Sequence, residues 1–411
     1  MTGALRADVV ERALVDRTRA NRDFFDAEAE RLAERTRANE RFFGAESGRI
    51  ARLCHRMAER FAAGGRLVAL GASPADRSDA RHVAVEFVHP VIVGKRALPA
   101  LALTAEGGPL AAQVALVAEP DDMVIAFGAE AGALAAARER GCLTIGFGAG
   151  AEWEFAPPGP DPFVRQELVE TLYHLLWEHV HVFLDQRGLL EGREARRVHD
   201  TGASSFLYPF LGEQQTDLAA VVADVRESVV MKVGEVGELR GQTLSENREA
   251  LAAAAAAVRA CLDGGGKLLA LGNGGSATDA MDAVADFRAA PQGWPGRSAL
   301  DLTEDAAILT ALANDVGPEV LFQRQIIAYG RPGDVVLSFS TSGGSANVVL
   351  ALEEARRRGL VTIALVGYDG GRIAAEGLAD HVIVTRSQHI PRIQEAQASA
   401  WHVLRELMER A

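Results

Sequence analysis

Short apolar runs that enter glycine turns, each followed by a stretch of helical periodicity, recur along the chain. Leu67–Leu70, framed by Gly64, Gly65 and Gly71, reappears as Leu268–Leu271, framed by Gly265, Gly266 and Gly272. Four apolar residues running into a glycine predict a buried strand. The likeness continues downstream. Met123–Phe127 matches Val335–Phe339, each is followed by a helical pattern closing at Arg140-Gly141 or Arg358-Gly359, and then by a further strand, Leu143–Gly146 or Val361–Ala364. Strand, helix, strand at this spacing is the βαβ unit of a parallel sheet. Each copy closes with a helix of the same polar register: Gln166 precedes His174 by eight residues, and Gln394 precedes His402 by eight. The pattern therefore predicts two copies of one α/β domain, 51–186 and 218–411. Between them lies a linker, 187–217, where turn formers such as Thr201–Ser205 interrupt the periodicity. A helical stretch from Leu218 to Leu262 leads into the second copy.

A shorter repeat precedes both. Arg17–Phe25 recurs as Arg35–Phe43, eighteen residues or five helical turns later, so the two Phe pairs return to one helix face while Arg, Glu and Asp cover the others. Residues 1–50 are expected to form a helical arm for packing or oligomerisation, without chemistry of its own.

Composition narrows the class. A chain of 411 residues exceeds one ordinary core and suits two domains, and 48% hydrophobic with 24% charged residues is the profile of a folded protein. A formal charge of -13 argues against a nucleic-acid or anionic-membrane binder, which would concentrate Lys and Arg. Cys54, Cys142 and Cys261 are too few and too scattered for a disulfide framework or a CxxC metal knuckle. With no apolar run of about 20 residues and no signal-type block, a cytoplasmic location is expected.

The chemistry is concentrated at strand ends. In copy two the first strand enters Gly272–Asp279, and glycines there let backbone N–H groups approach an anion while the following helix adds its dipole. Ser340–Ser345 places four hydroxyls and two glycines at the carboxyl edge of the sheet, where open α/β folds bind ligands.

Gly272–Ser276, Asn314-Asp315, Ser340–Ser345, Asp369–Gly371 and Pro391–Glu395 with His402 closely resemble the bacterial phosphoheptose isomerases, of the SIS sugar-isomerase fold. The match covers nearly all of copy two. The resemblance implies two tandem SIS domains, each a parallel sheet flanked by helices in a flavodoxin-like three-layer sandwich, behind extra N-terminal helices. It implies conversion of sedoheptulose 7-phosphate to D-glycero-D-manno-heptose 7-phosphate, often with a zinc ion, in tetramers with sites between subunits. Carried over, the substrate-binding positions are Asn273, Gly274, Gly275, Ser276, Asn314, Asp315, Ser340, Thr341, Ser342, Ser345 and Gln394.

Moving a carbonyl between C1 and C2 needs a base, an acid and positive charge near the oxygens. The family supplies these from a helical His-x-x-x-Glu after the first loop and from a Gln and a His on the last helix, all four able to ligate metal. Copy two departs from this, with Asp282 and Asp286 at the first two positions; copy one has His82 and Glu86 there, and Gln166 and His174 on its last helix. Copy one in turn lacks both phosphate loops, having Gly71–Asp76 and Phe127–Gly132 instead. The expectation is a composite site in which the copy-two cradle faces His82 and Glu86. Gln394 and His402, or their counterparts Gln166 and His174, complete it. Glu86, His402 and His174 are the acid-base candidates; His82, Glu86, Gln394 and His402 the metal ligands, with Gln166, His174, Asp282 and Asp286 as alternates. A fused pair would mimic a dimer, and two chains the tetramer. The alternative is a non-catalytic SIS protein that binds sugar phosphate or a protein partner in a regulatory role.

Overall fold

The computed structural model describes residues 2–91, 95–128, 130–186, 217–290 and 293–410, with side chains from residue 32 to 409. All but one residue of the expected linker lies outside these. The chain opens with one continuous helix, α1 (Thr2–Ala63), in place of several. Then follow β1 (Leu67–Gly71), α2 (Pro74–Val88), β2 (Ala100–Thr104), α3 (Leu110–Val117), β3 (Met123–Ala126), α4 (Ala131–Glu139), β4 (Leu143–Gly146), β5 (Trp153–Glu154) and α5 (Pro162–Asp185). The second half runs α6 (Leu218–Glu246), α7 (Arg248–Asp263), β6 (Leu268–Leu271), α8 (Gly275–Arg288), β7 (Ala299–Asp301), α9 (Ala306–Asp315), α10 (Leu321–Tyr329) and β8 (Val335–Ser340). It ends with α11 (Ala346–Arg357), β9 (Val361–Gly367), α12 (Gly371–Ala375), β10 (His381–Thr385) and α13 (Ile390–Arg410).

The strands form two five-stranded sheets, ordered β2-β1-β3-β4-β5 and β7-β6-β8-β9-β10, and every neighbouring pair is parallel. Both sheets thus share the doubly wound order 2-1-3-4-5, whose switch point lies between the first and third strands. Side chains alternate across each sheet: Leu67 and Ala69 join one core and Val68 and Leu70 the other, just as Leu268 and Ala270 divide from Leu269 and Leu271. Two buried faces per sheet explain why the strands read as unbroken apolar runs.

The duplication extends to side-chain detail. Asp122 accepts from the backbone N–H groups of Arg66 and Glu119, and Asp334 from those of Lys267 and Arg331, so each ties the start of its first strand to that of its third. The helical stretch after position 218 breaks at Asn247, whose amide donates to the Val384 carbonyl at 2.9 Å and whose Oδ1 accepts from the Val384 N–H at 2.9 Å. The side chain imitates a neighbouring strand and closes the edge of β10.

The two copies meet through α2 against α8 and α5 against α13, with α1 and α6 packed alongside. On α1, Phe42 and Phe43 are buried edge to face, and Arg35 is buried against Glu406 at 3.2 Å and Glu167 at 3.7 Å. Among the described residues no helix is long and apolar enough to cross a membrane.

Candidate active site

The loops after β6 and β8 sit at the switch point of the second sheet. They are held together by a reciprocal amide pair, Asn273 with Asn347 at 2.9 and 3.0 Å. The helices that follow begin open: α8 starts behind Gly274 (φ 58°) and α11 behind Ser345, and neither N-terminus is closed by a side-chain cap. Ser340 and Ser342 instead accept from Gly343 and Gly344 and shape the serine loop. Uncapped helix N-termini ringed by hydroxyls are an anion cradle.

The matching place in copy one is closed from within. Ser73 and Asp76 form a complete capping box on α2. The Asp76 carboxylate lies under the next loop, where a Cβ on Gly128 (φ 77°) would fall 2.5 Å from its Oδ2. The Ser73 amide meets the Asp76 carboxylate and the Asp76 amide meets the Ser73 hydroxyl, so this helix start is already capped.

His82 and Glu86, one turn apart on α2, are buried between the copies. Around His82 Nε2 converge His174 Nε2 of α5 at 3.4 Å, Gln394 Nε2 of α13 at 3.2 Å and Glu86 Oε1 at 3.9 Å. Tyr173 Oη lies 3.0 Å from His82 Nδ1. The cradle touches this cluster directly: a Cβ on Gly275 would overlap the Gln394 amide and come within 2.8 Å of His82 Nε2. Burial and the neighbouring His174 hold the His82 imidazole well below its usual pKa, so it is neutral and offers a lone pair. Burial pushes the Glu86 carboxyl up to about 7, with His174 opposing and Glu178 adding to the shift. Glu170, on the same face of α5 as His174 and four residues before it, and Asp279 are also pushed well up, first by burial and then by carboxylate neighbours.

These residues fit a divalent cation. His82, Glu170 and His174 bring ligand atoms within 4.8 Å of one another. Glu86 Oε2, Glu170 Oε1, Asp279 Oδ2 and Gln394 Oε1 are buried without hydrogen-bond partners among the described residues, a concentration of orphaned oxygens that an ion would satisfy. Because His174 Nδ1 is bonded to Glu395, Nε2 is the nitrogen that faces His82 Nε2. Two nitrogens on one tetrahedral zinc stand about 3.3 Å apart, close to the separation of this pair.

The structure does not bring Gln394 and His402 together. Eight residues span about 12 Å along a helix, and the two side chains have different partners, His82 for Gln394 and Glu167 for His402. His402 bonds Glu167 at 2.8 Å, stacks on Phe163 with ring centroids 4.2 Å apart, and lies near Asp286. The histidine that joins Gln394 is His174, from the other copy. A pseudo-equivalent half-site then gathers Gln166, Asp282, Asp286 and His402, where Asp282 bonds Ser78 and Gln166 and Asp286 bonds the Trp401 indole at 3.2 Å. Asn314 and Asp315 lie exposed at the end of α9, bonded to each other at 2.7 Å. Glu170, Tyr173 and Glu395 were not expected. Glu170 had a legible signal, the same i, i+4 pairing with a His that marked His82 and Glu86.

Residues 233–367 match the family model described as SIS domain. Over 168 residues the chain is 44% identical to the phosphoheptose isomerase of Chlorobium phaeobacteroides, spanning 40% of this chain and 74% of the relative. It is 37% identical over 187 residues to the phosphoheptose isomerase of Nitratidesulfovibrio vulgaris, spanning 45% of this chain and 89% of that one. The whole architecture is similar to the C-terminal domain of glucosamine-fructose-6-phosphate aminotransferase from Francisella tularensis. The TM-score is 0.58, with 9% identity over 92% of this chain and 93% of the other. That likeness is one of fold.

Proposed function

Since the chain belongs to the SIS-domain family and is related to the phosphoheptose isomerases, we propose that it is a sugar-phosphate isomerase converting sedoheptulose 7-phosphate to D-glycero-D-manno-heptose 7-phosphate. The reading places one complete site in each chain, shared by the two copies. The observation that carries it is the contact of the open α8 N-terminus at Gly275 with the buried His82, Glu86, His174 and Gln394 cluster.

Copy two binds and orients. The substrate phosphate lies on the backbone amides at Gly274 and Gly275 and at the start of α11, with Asn273, Ser276, Ser340, Thr341, Ser342 and Ser345 around it. This fixes the distance from the phosphate to the reacting carbons, so that C1 and C2 reach the copy-one face of the site. Glu86, 3.9 Å from His82 Nε2 beside the cradle, moves the proton between C1 and C2. His82, His174, Gln394 and a carboxylate from Glu86 or Glu170 would hold a divalent cation, zinc by the balance of nitrogen and oxygen donors. The chemistry such an ion supplies is polarisation of the two substrate oxygens that bear charge in the enediolate. Burial of the cluster excludes water from the intermediate.

In the assembly this reading implies, two chains form a cytoplasmic homodimer equivalent to four SIS domains. The test is incubation of the purified protein with sedoheptulose 7-phosphate, with zinc and with a chelator, following aldose formation. Zinc-dependent product supports the reading; no product with any divalent metal would replace it with a regulatory sugar-phosphate-binding role.

A further inference from the structure

His174 is held from the opposite copy. Its Nδ1 lies 2.9 Å from Glu395 Oε1, and Glu395, fully buried, is clasped by Arg392 through bonds of 2.7 and 2.5 Å to its two oxygens. Arg392 also reaches Glu178 on α5 at 3.0 Å, and Lys232 on α6 closes the row at 2.9 Å from the same Glu178 oxygen. A row of alternating charges this deep stays ionised only because every member is paired. Its geometry has a direction. An anionic carboxylate accepts the Nδ1 proton of His174, so in the neutral ring the lone pair lies on Nε2, which is aimed at His82.

We infer that the Arg392–Glu395 pair of copy two is the positioning unit that fixes the tautomer and ring orientation of His174 in copy one and thereby sets the affinity of the site for a divalent cation. The inference rests on the reading of the His82 cluster as a cation site. It is specific to that half of the molecule, because the mirror bond from Glu167 goes to His402, which belongs to the half-site whose phosphate loops are closed. Glu167 is also braced differently, by Arg35 at 3.7 Å and Arg240 at 3.9 Å rather than by one guanidinium nitrogen bonded to both its oxygens.

The experiment is a zinc titration of the purified full chain against a competing chelator dye, run on the wild type, Glu395→Gln, Arg392→Lys and Glu167→Gln, beside thermal melts of the zinc-free proteins. Glu395→Gln is expected to weaken zinc about 10- to 100-fold, the usual effect of losing a partner of a metal-binding imidazole. Arg392→Lys, which keeps the buried charge but cannot bridge Glu395 and Glu178 at once as the two guanidinium nitrogens do, should weaken it about 3- to 10-fold. Glu167→Gln should lower the melting temperature and leave zinc affinity within about twofold of wild type. Unchanged affinity in Arg392→Lys and Glu395→Gln would overturn the inference, as would an equal loss in Glu167→Gln, which would mean that loosening the helix pair is enough. If Glu395→Gln does not fold, Arg392→Lys decides. Wild-type protein that takes up no zinc would overturn the cation reading itself, an outcome distinct from zinc binding that ignores Glu395.

Discussion

Gly275 of the second copy lies against His82 of the first, so closely that a Cβ at position 275 would stand 2.8 Å from His82 Nε2. The backbone that begins the anion cradle and the imidazole that anchors the candidate metal site are therefore neighbours, although 193 positions separate them in the chain. Gly275→Ala should push His82 and Gln394 apart at a cost of about 1–3 kcal/mol, lowering both zinc affinity and turnover at least tenfold. Thermal melts and steady-state kinetics check this; wild-type activity in the variant would show that the two elements are not coupled.

Glu86→Gln should reduce turnover about 10²- to 10⁴-fold, the range supplied by a positioned acid-base group, with the far-UV circular dichroism unchanged. Only retained turnover would release Glu86 from the acid-base role.

The same residue makes a pH prediction for the zinc-free protein. Its carboxyl is raised from the usual 4.5 to about 7, so the folded state holds the proton where the unfolded state has lost it. Stability is full below about pH 4.5, falls as pH rises to about 7 and then levels, a loss of about 3 kcal/mol attributable to this group. Denaturant melts from pH 4.5 to 8 in chelator should show that slope, smaller in Glu86→Gln. Zinc should flatten it by favouring the carboxylate.

The two histidines should part company. His174→Asn should abolish zinc-dependent turnover, whereas His402→Asn should keep it and lose about 1–3 kcal/mol of stability with the Glu167 bond and the Phe163 stack. Kinetics that fail equally in both would return His402 to the site.

Because Asp76 already fills the copy-one loop, isothermal titration should find one sugar phosphate per chain. Two equal sites per chain would show that the capping box opens.

Local pattern alone carried the repeated strands, their glycine turns and the parallel βαβ order, because strand and helix periodicities are set by neighbouring residues and by which faces must be buried. The division of labour was an expectation drawn from the family resemblance, carried onto His82 and Glu86, one turn apart, and onto the contiguous serine loop. The partner histidine was not legible. Gln394 and His402 share a helix and a spacing with Gln166 and His174, and that symmetry leaves both pairings equally open along the chain. The choice is made where α5 and α13 cross in opposite directions, bringing 174 to 395 and 167 to 402. Only that crossing splits each Gln from the His of its own helix, and only the packing of α2 on α8 brings His82 against Gly275. Contacts between segments so distant depend on how two finished domains pack, which no local periodicity encodes.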